Sequence, residues 1–254
     1  MIPAVAKKPR RTRAAKARGW RARALKAIRN SLIGAGVGVV LLTAVPLAYL
    51  RYGTPWFSTF MLRSHFSDPA TGEACKRVEY RWAPWDSIAS PMRRAVVVAE
   101  DQRFLEHDGF DLNAIEQAVS DRLRGERLRG ASTISQQLVK NLFLWPGRSV
   151  IRKGLEVWYT GWIELAWPKH RILELYLNVA QFGPCRFGVE SAAAHFFSTT
   201  AARLRPDEAA LLAATLPNPA KIRADEPGPY AQQRSREILQ ALAASRDASW
   251  LRGL

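Results

Sequence analysis

Glu100 stands in the segment VVVAEDQRFLEHDGFD, where Val96, Val97, Glu100, Phe104 and His107 share one helical face by the i, i+3, i+4 rule. A carboxylate in an apolar stripe needs a reason, because glutamate is rarely buried unless paired. Partial desolvation would lift its pKa above about 4.3 and make it a proton acceptor near neutral pH. An ion pair with a neighbour such as Arg103 is the alternative, and the pattern leaves both open. In GASTISQQLVKNLFL, Thr133, Gln136, Gln137 and Lys140 recur at i, i+3, i+4 and i+7, apart from the apolar Ile134, Leu138 and Leu142. Amides, hydroxyls and a single cation suit a sugar and a phosphate, and the free amides from Ser132 onward suit an anion at a helix start. An ordinary exposed amphipathic face is the competing explanation. Further on, RSVIRKGLE sets Lys153 and Glu156 on one face, with Arg152 one turn before Glu156 and Arg148 just outside the cap. Such a pair is usually a surface ion pair contributing a few tenths of a kcal/mol, roughly. Clustered near the Lys140 end, these cations would also suit a departing diphosphate.

The elements that must position these groups are helical. Ser90 and Pro91 start a helix that Gly109 closes, Asp111 caps a second through about Arg124, and Ser132 caps a third through Leu144. Ser149 caps a fourth running to about Trp167, ahead of Pro168. Residues 169–178, 189–197, 206–216 and 230–244 follow, with Pro217 and Pro219 as stops. No run alternates with period two long enough for a central strand, so the spacing predicts an all-α domain. Gly53, Pro55, Pro69, Gly72 and Pro84 break residues 51–85 into a linker and partly ordered lead-in. The expected layout is a basic tail (1–30), an apolar span (31–50), that lead-in (51–85), one domain (86–245) and a short tail (246–254). The 254 residues suit such an arrangement.

Charge is uneven. Residues 1–30 hold eleven Lys and Arg and no acidic residue, and removing those eleven from the net +16 leaves +5. A basic tail can serve nucleic acid, but here SLIGAGVGVVLLTAVPLAYL follows it directly. Twenty helical residues span the roughly 30 Å apolar core of a bilayer. The positive-inside bias then keeps the tail in the cytoplasm and sends the rest outside, with no nucleic-acid role. A cleaved signal peptide is the rival, weakened by the long basic region and the lack of a small-x-small site. Cys75 and Cys185 would lie in an oxidising compartment, though spacing does not say whether they pair. His107, His170 and His195 stand singly, and no Cys/His cluster has metal-ligand spacing. Among the tryptophans, Trp56, Trp82, Trp85, Trp145, Trp158, Trp162 and Trp167 include candidates for a membrane-interface set, with core packing the default for most.

Five segments in order resemble the motifs of the peptidoglycan glycosyltransferases: EDQRFLEHDGFD (100–111), GASTISQQLVKNLFL (130–144), RKGLE (152–156), RILELYLN (171–178) and FGVESAAAHFF (187–197). The likeness spans about residues 90–219 and is greatest to the monofunctional, single-span branch. It implies a lysozyme-like all-α fold with a small membrane-proximal lobe at the inner membrane, the domain lying in the periplasm. It also implies a reaction: a glycan strand on undecaprenyl diphosphate is the donor, lipid II the acceptor, and a β-1,4 bond forms with inversion. By resemblance Glu100 is the general base and Glu156 a second essential carboxylate. Asp101, Arg103, Phe104, His107, Ser132, Thr133, Gln136, Gln137, Lys140, Arg148, Arg152 and Lys153 fall at substrate-binding positions. No cofactor is required, while Mg²⁺ or another divalent cation helps some members. Other cell-wall synthesis or division proteins are the implied partners. Ser135 stands where many members carry threonine, and the loop Trp145–Pro146–Gly147 varies among relatives. Neither Ser-x-x-Lys nor Lys-Thr-Gly is present, so peptide cross-linking is not expected. A muramidase or lytic transglycosylase would also use two carboxylates, but has no use for cations at a diphosphate. A non-catalytic scaffold would leave the motif residues idle.

Overall fold

The computed structural model describes residues 13–125, 132–147 and 149–244. Two units divide the chain at Ala48 and Tyr49. The first contains most of α1 (Arg13–Leu50), whose stretch Arg23–Leu50 is long and apolar enough to cross a membrane and encloses the expected span.

The second unit carries α2 (Thr59–Ser64), β1 (Glu79–Tyr80), α3 (Ser90–Glu100), α4 (Leu112–Leu123), α5 (Ile134–Phe143), α6 (Val150–Ala166) and α7 (Lys169–Val179). It continues through β2 (Gln181–Gly183), β3 (Arg186–Phe187), α8 (Val189–Phe197), α9 (Pro206–Thr215) and α10 (Pro229–Ala244). The predicted helices are all present. α7 is the centre, buried from Arg171 through Val179 on every side, as a helix in the middle of a core must be. Its polar groups are therefore partnered. Asn178 takes the Ala83 N–H at 2.7 Å and donates to the Ala83 carbonyl at 2.8 Å, and Glu174 accepts from the Trp85 N–H at 2.7 Å. Arg171 donates to the carbonyls of Leu50 and Gly53 and pairs with Glu174. α5 and α6 pack beside α7, while α3, α9 and α10 form a second cluster.

The lead-in is more ordered than its breakers suggest. Cys75 and Cys185 form a disulfide. Beside it the Asp68 carboxylate accepts from the Cys185 N–H at 3.0 Å and from Gln181 Nε2 at 2.6 Å. These bonds hold β1 parallel to β3, which pairs antiparallel with β2. This small sheet escaped the sequence reading because strands of two or three residues show no alternation.

Two helix limits differ from expectation. α3 stops at Glu100 instead of Gly109, because Asp101 leaves helical geometry at φ −160° and ψ 77°. Its carboxylate accepts from the Ile134 N–H at 3.0 Å and bonds His107 Nε2 at 2.9 Å. α5 starts one residue later than expected: Thr133 is the cap and Ser132 lies exposed before it. Thr133 and Gln136 form a capping box, each side chain accepting the other's backbone N–H at 3.2 Å.

Candidate active site

Ending α3 at Glu100 puts the carboxylate at the tip of a helix instead of on its flank. Glu100 is half-buried, and its Oε2 accepts from Gln137 Nε2 at 2.8 Å. Arg103 takes no part: it is exposed and pairs with Glu106 at 2.9 Å and Asp111 at 3.1 Å. Burial pushes the Glu100 carboxyl above the usual carboxylate range. The Gln137 hydrogen bond, Arg234 and Lys140 pull it back, and Asp101 adds to the rise.

Gln137 is held in turn. Its Oε1 accepts from the hydroxyl of Tyr176 on α7 at 2.9 Å, which fixes which end of the amide faces Glu100. Tyr176 is buried, and burial lifts its hydroxyl well above the usual tyrosine value, so it stays a donor. Lys140 lies one turn beyond Gln137 and is half-buried, its ammonium 5.9 Å from the Phe60 ring centre. Burial pushes Lys140 below the usual lysine value; Glu156 and Glu100 raise it, whereas Arg152 and Lys153 lower it. One electrostatic neighbourhood therefore joins the tip of α3, the polar edge of α5 and the first turns of α6.

On α6, Ser149 caps the helix by accepting the Arg152 N–H at 3.1 Å. Glu156 is only 3% exposed and accepts from Arg152 Nη1 at 2.5 Å and from Lys153 Nζ. The surface-pair reading fails here, since both Arg152 and Glu156 are buried. Arg152 Nε is also buried and has no protein partner. The opposite face of α6 is apolar and open, with Val150, Ile151 and Leu165 at 89%, 75% and 79% exposure and Trp158 and Trp162 beside them. A helix that buries Arg152 and Glu156 and exposes aliphatic residues inverts the usual soluble pattern. Of the candidate interface tryptophans, Trp56, Trp145, Trp158 and Trp162 are exposed, whereas Trp167 is buried.

Several residues expected to contact the ligand are tied into the fold by internal bonds. Phe104 is fully buried, with the Lys169 ammonium 4.7 Å from its ring centre. Asp101 and His107 are buried partners, and His107 Nδ1 accepts from the Gly109 N–H at 3.1 Å. Thr133 and Gln136 are spent on the capping box, and Thr133 Oγ1 also donates to the Gly109 carbonyl at 2.7 Å. These bonds share one cause: the loop after Glu100 must be tied to α5, and the polar groups there do the tying. Gly109 has no substitute in that loop, since its φ is +85° and a Cβ would lie 2.7 Å from Thr160 Cγ2. Ser132 remains exposed at the mouth of α5. Arg148 lies outside the described residues.

Tyr176 and Arg234 were missed. Tyr176 sits inside RILELYLN, where the apolar period makes it look like core, and Arg234 lies in a helix read only for its amphipathic pattern.

Residues 69–243 match the family described as Transglycosylase. The chain is 48% identical over 213 residues to a biosynthetic peptidoglycan transglycosylase of Aeromonas hydrophila, covering 83% of this chain and 89% of that one. It is 51% identical over 189 residues to one from Xanthomonas campestris, covering 74% and 77%. A third, from Stutzerimonas stutzeri, is 46% identical over 204 residues, covering 80% and 84%.

Proposed function

The chain belongs to the transglycosylase family and is a peptidoglycan glycosyltransferase, and from that premise we propose the reaction its site performs. Lipid II is the acceptor and a glycan strand on undecaprenyl diphosphate the donor. Glu100 takes the proton from the acceptor's GlcNAc 4-hydroxyl as that oxygen attacks the anomeric carbon of the donor's MurNAc. The bond from that carbon to the diphosphate breaks, its electrons leave with the lipid diphosphate, and a β-1,4 link forms with inversion. Burial makes Glu100 a stronger base than a free glutamate, and the Gln137 amide holds its second oxygen in place. Lys140, Arg152 and Lys153 receive the charge of the leaving group. Glu156 orients Arg152 and Lys153 by binding both.

One observation carries this reading: Gln137 binds the base while Lys140, one turn on, lies within the fields of both Glu100 and Glu156. A cleaving enzyme needs the carboxylic acid but not the three cations. The exposed apolar face of α6 supports a membrane-proximal lobe, where a lipid-linked donor is met. The disulfide supports an oxidising compartment for this unit, and the basic residues ahead of the apolar span support a single-pass anchor with its N-terminus in the cytoplasm. A divalent cation finds no fitting donor set among the described residues. The trio Asp68, Cys75 and Cys185 has its sulfurs joined to each other and its carboxylate taken by Cys185 N–H and Gln181. Glu156 is already neutralised by its two cations, so no step is routed through a metal.

The test is polymerisation of lipid II by the purified full chain, with finished glycan as the parallel substrate. We expect product from lipid II alone, and Glu100→Gln to reduce it at least about 100-fold with the helical circular dichroism unchanged. Consumption of finished glycan only, or near-normal polymerisation by Glu100→Gln, would defeat the proposal.

A further inference from the structure

The carboxylate of Glu100 closes a helix whose last carbonyls have no N–H partner within the helix. The Asp101 N–H serves the carbonyl of Val97. The Ala99 carbonyl, adjacent to the base, is taken from outside: Arg234 Nη2 on α10 donates to it at 3.0 Å. Arg234 is half-buried and also pairs with Glu237 on its own helix at 3.1 Å. One guanidinium thus binds the negative end of α3 next to the carboxylate that ends it, where a cation is favoured. Groups on neighbouring elements also act on Glu100. α5 offers the Gln137 amide and Lys140, α7 offers Tyr176 acting through Gln137, and the chain beyond α3 offers Asp101, which repels.

We propose that Arg234 is the positioning residue for the base, clamping the last turn of α3 to α10 and supplying Glu100 with a standing positive charge. This rests on the general-base role of Glu100 and adds a division of labour. Lys140 sits among Glu156, Arg152 and Lys153 and serves the leaving group, whereas Arg234 stands apart from that cluster and serves the base. Among the cations, Arg234 holds the Glu100 carboxyl down ahead of Lys140. Without Arg234, burial would act on the carboxylate with less opposition, and Glu100 would hold its proton at a pH where it should be free.

The experiment is the pH profile of kcat/KM for lipid II polymerisation by the full chain and three variants. Arg234→Gln should move the acidic limb up by about 0.5–1 pH unit and lower kcat about tenfold. Arg234→Lys should keep the limb near its original place, because the charge remains. Glu237→Gln, an exposed change that releases Arg234 from its competitor, should move the limb down. A structural role alone would reduce the folded fraction and leave the limb where it was. An unmoved limb in both Arg234→Gln and Glu237→Gln overturns the proposal. Should Arg234→Gln lose its helical circular dichroism, the directions seen with Arg234→Lys and Glu237→Gln decide. A wild-type chain that makes no polymer would bring down the proposed reaction as well, a different failure from a normal wild type with immobile limbs.

Discussion

At the scale of single residues, the site sets two carboxylates in opposite circumstances. Glu156 is buried but held by two cations, and Glu100 is half-buried with one neutral amide on its second oxygen. Only the second arrangement leaves a base to use. Glu100 also strains the fold. Its pKa is raised, so the folded chain holds that proton more tightly than the unfolded chain does. The stability this group contributes is complete below the unfolded value of about 4.3 and is lost as pH rises through the folded value. Glu100→Gln removes a desolvated charge. We therefore expect its melting temperature to exceed the wild type's by a few degrees, roughly, at neutral pH. The gap should close as pH falls toward about 4, where the native carboxyl is protonated too. Paired thermal melts across that range check it; a variant less stable than wild type at neutral pH would contradict the account.

At the scale of elements, Glu100 is placed by a loop. Residues 101–109 turn away from α3 and are tied to α5 by Asp101 to Ile134 and by Thr133 to the Gly109 carbonyl. Lys169 donates to the His107 carbonyl and pairs with Glu164, closing the loop from the α6–α7 side. Gly109 is where these ties converge in left-handed geometry. Gly109→Ala should cost about 2–4 kcal/mol in urea unfolding, from backbone strain plus displacement of Thr160 and Glu164. Polymerisation should fall in step, since the same strain shifts Thr133 and the start of α5. A midpoint within error of wild type would show that the loop tolerates a side chain there.

At the scale of the whole molecule, the disulfide joins the lead-in to the β2–β3 turn across 110 residues of sequence. Closing a loop of that length in the unfolded chain removes entropy corresponding to about 5 kcal/mol, and observed losses on removing such a bond run to about 2–5 kcal/mol. Replacing both cysteines by serine should lower the guanidinium midpoint accordingly, and an unchanged midpoint would mean that Asp68 and the small sheet hold this edge without it. The same edge presents α2 and the exposed aromatic residues Trp56 and Phe66.

The sequence alone determined the helices, the apolar span and the two carboxylates with their attendant cations, because each depends on spacing within a few residues. Periodicity marks a helix face, and a proline or a capping side chain marks its end, wherever the rest of the chain goes. Tertiary structure decided which polar groups are free to act. Asp101, His107, Thr133 and Gln136 look available in a linear pattern and are consumed by bonds between segments that adjoin only in the folded chain. Tyr176 and Arg234 look inert and are brought to Gln137 and to the end of α3 by the packing of α7 and α10. A hydrogen-bonding group can satisfy only its nearest partners, and which partners are nearest is a property of the packed helices.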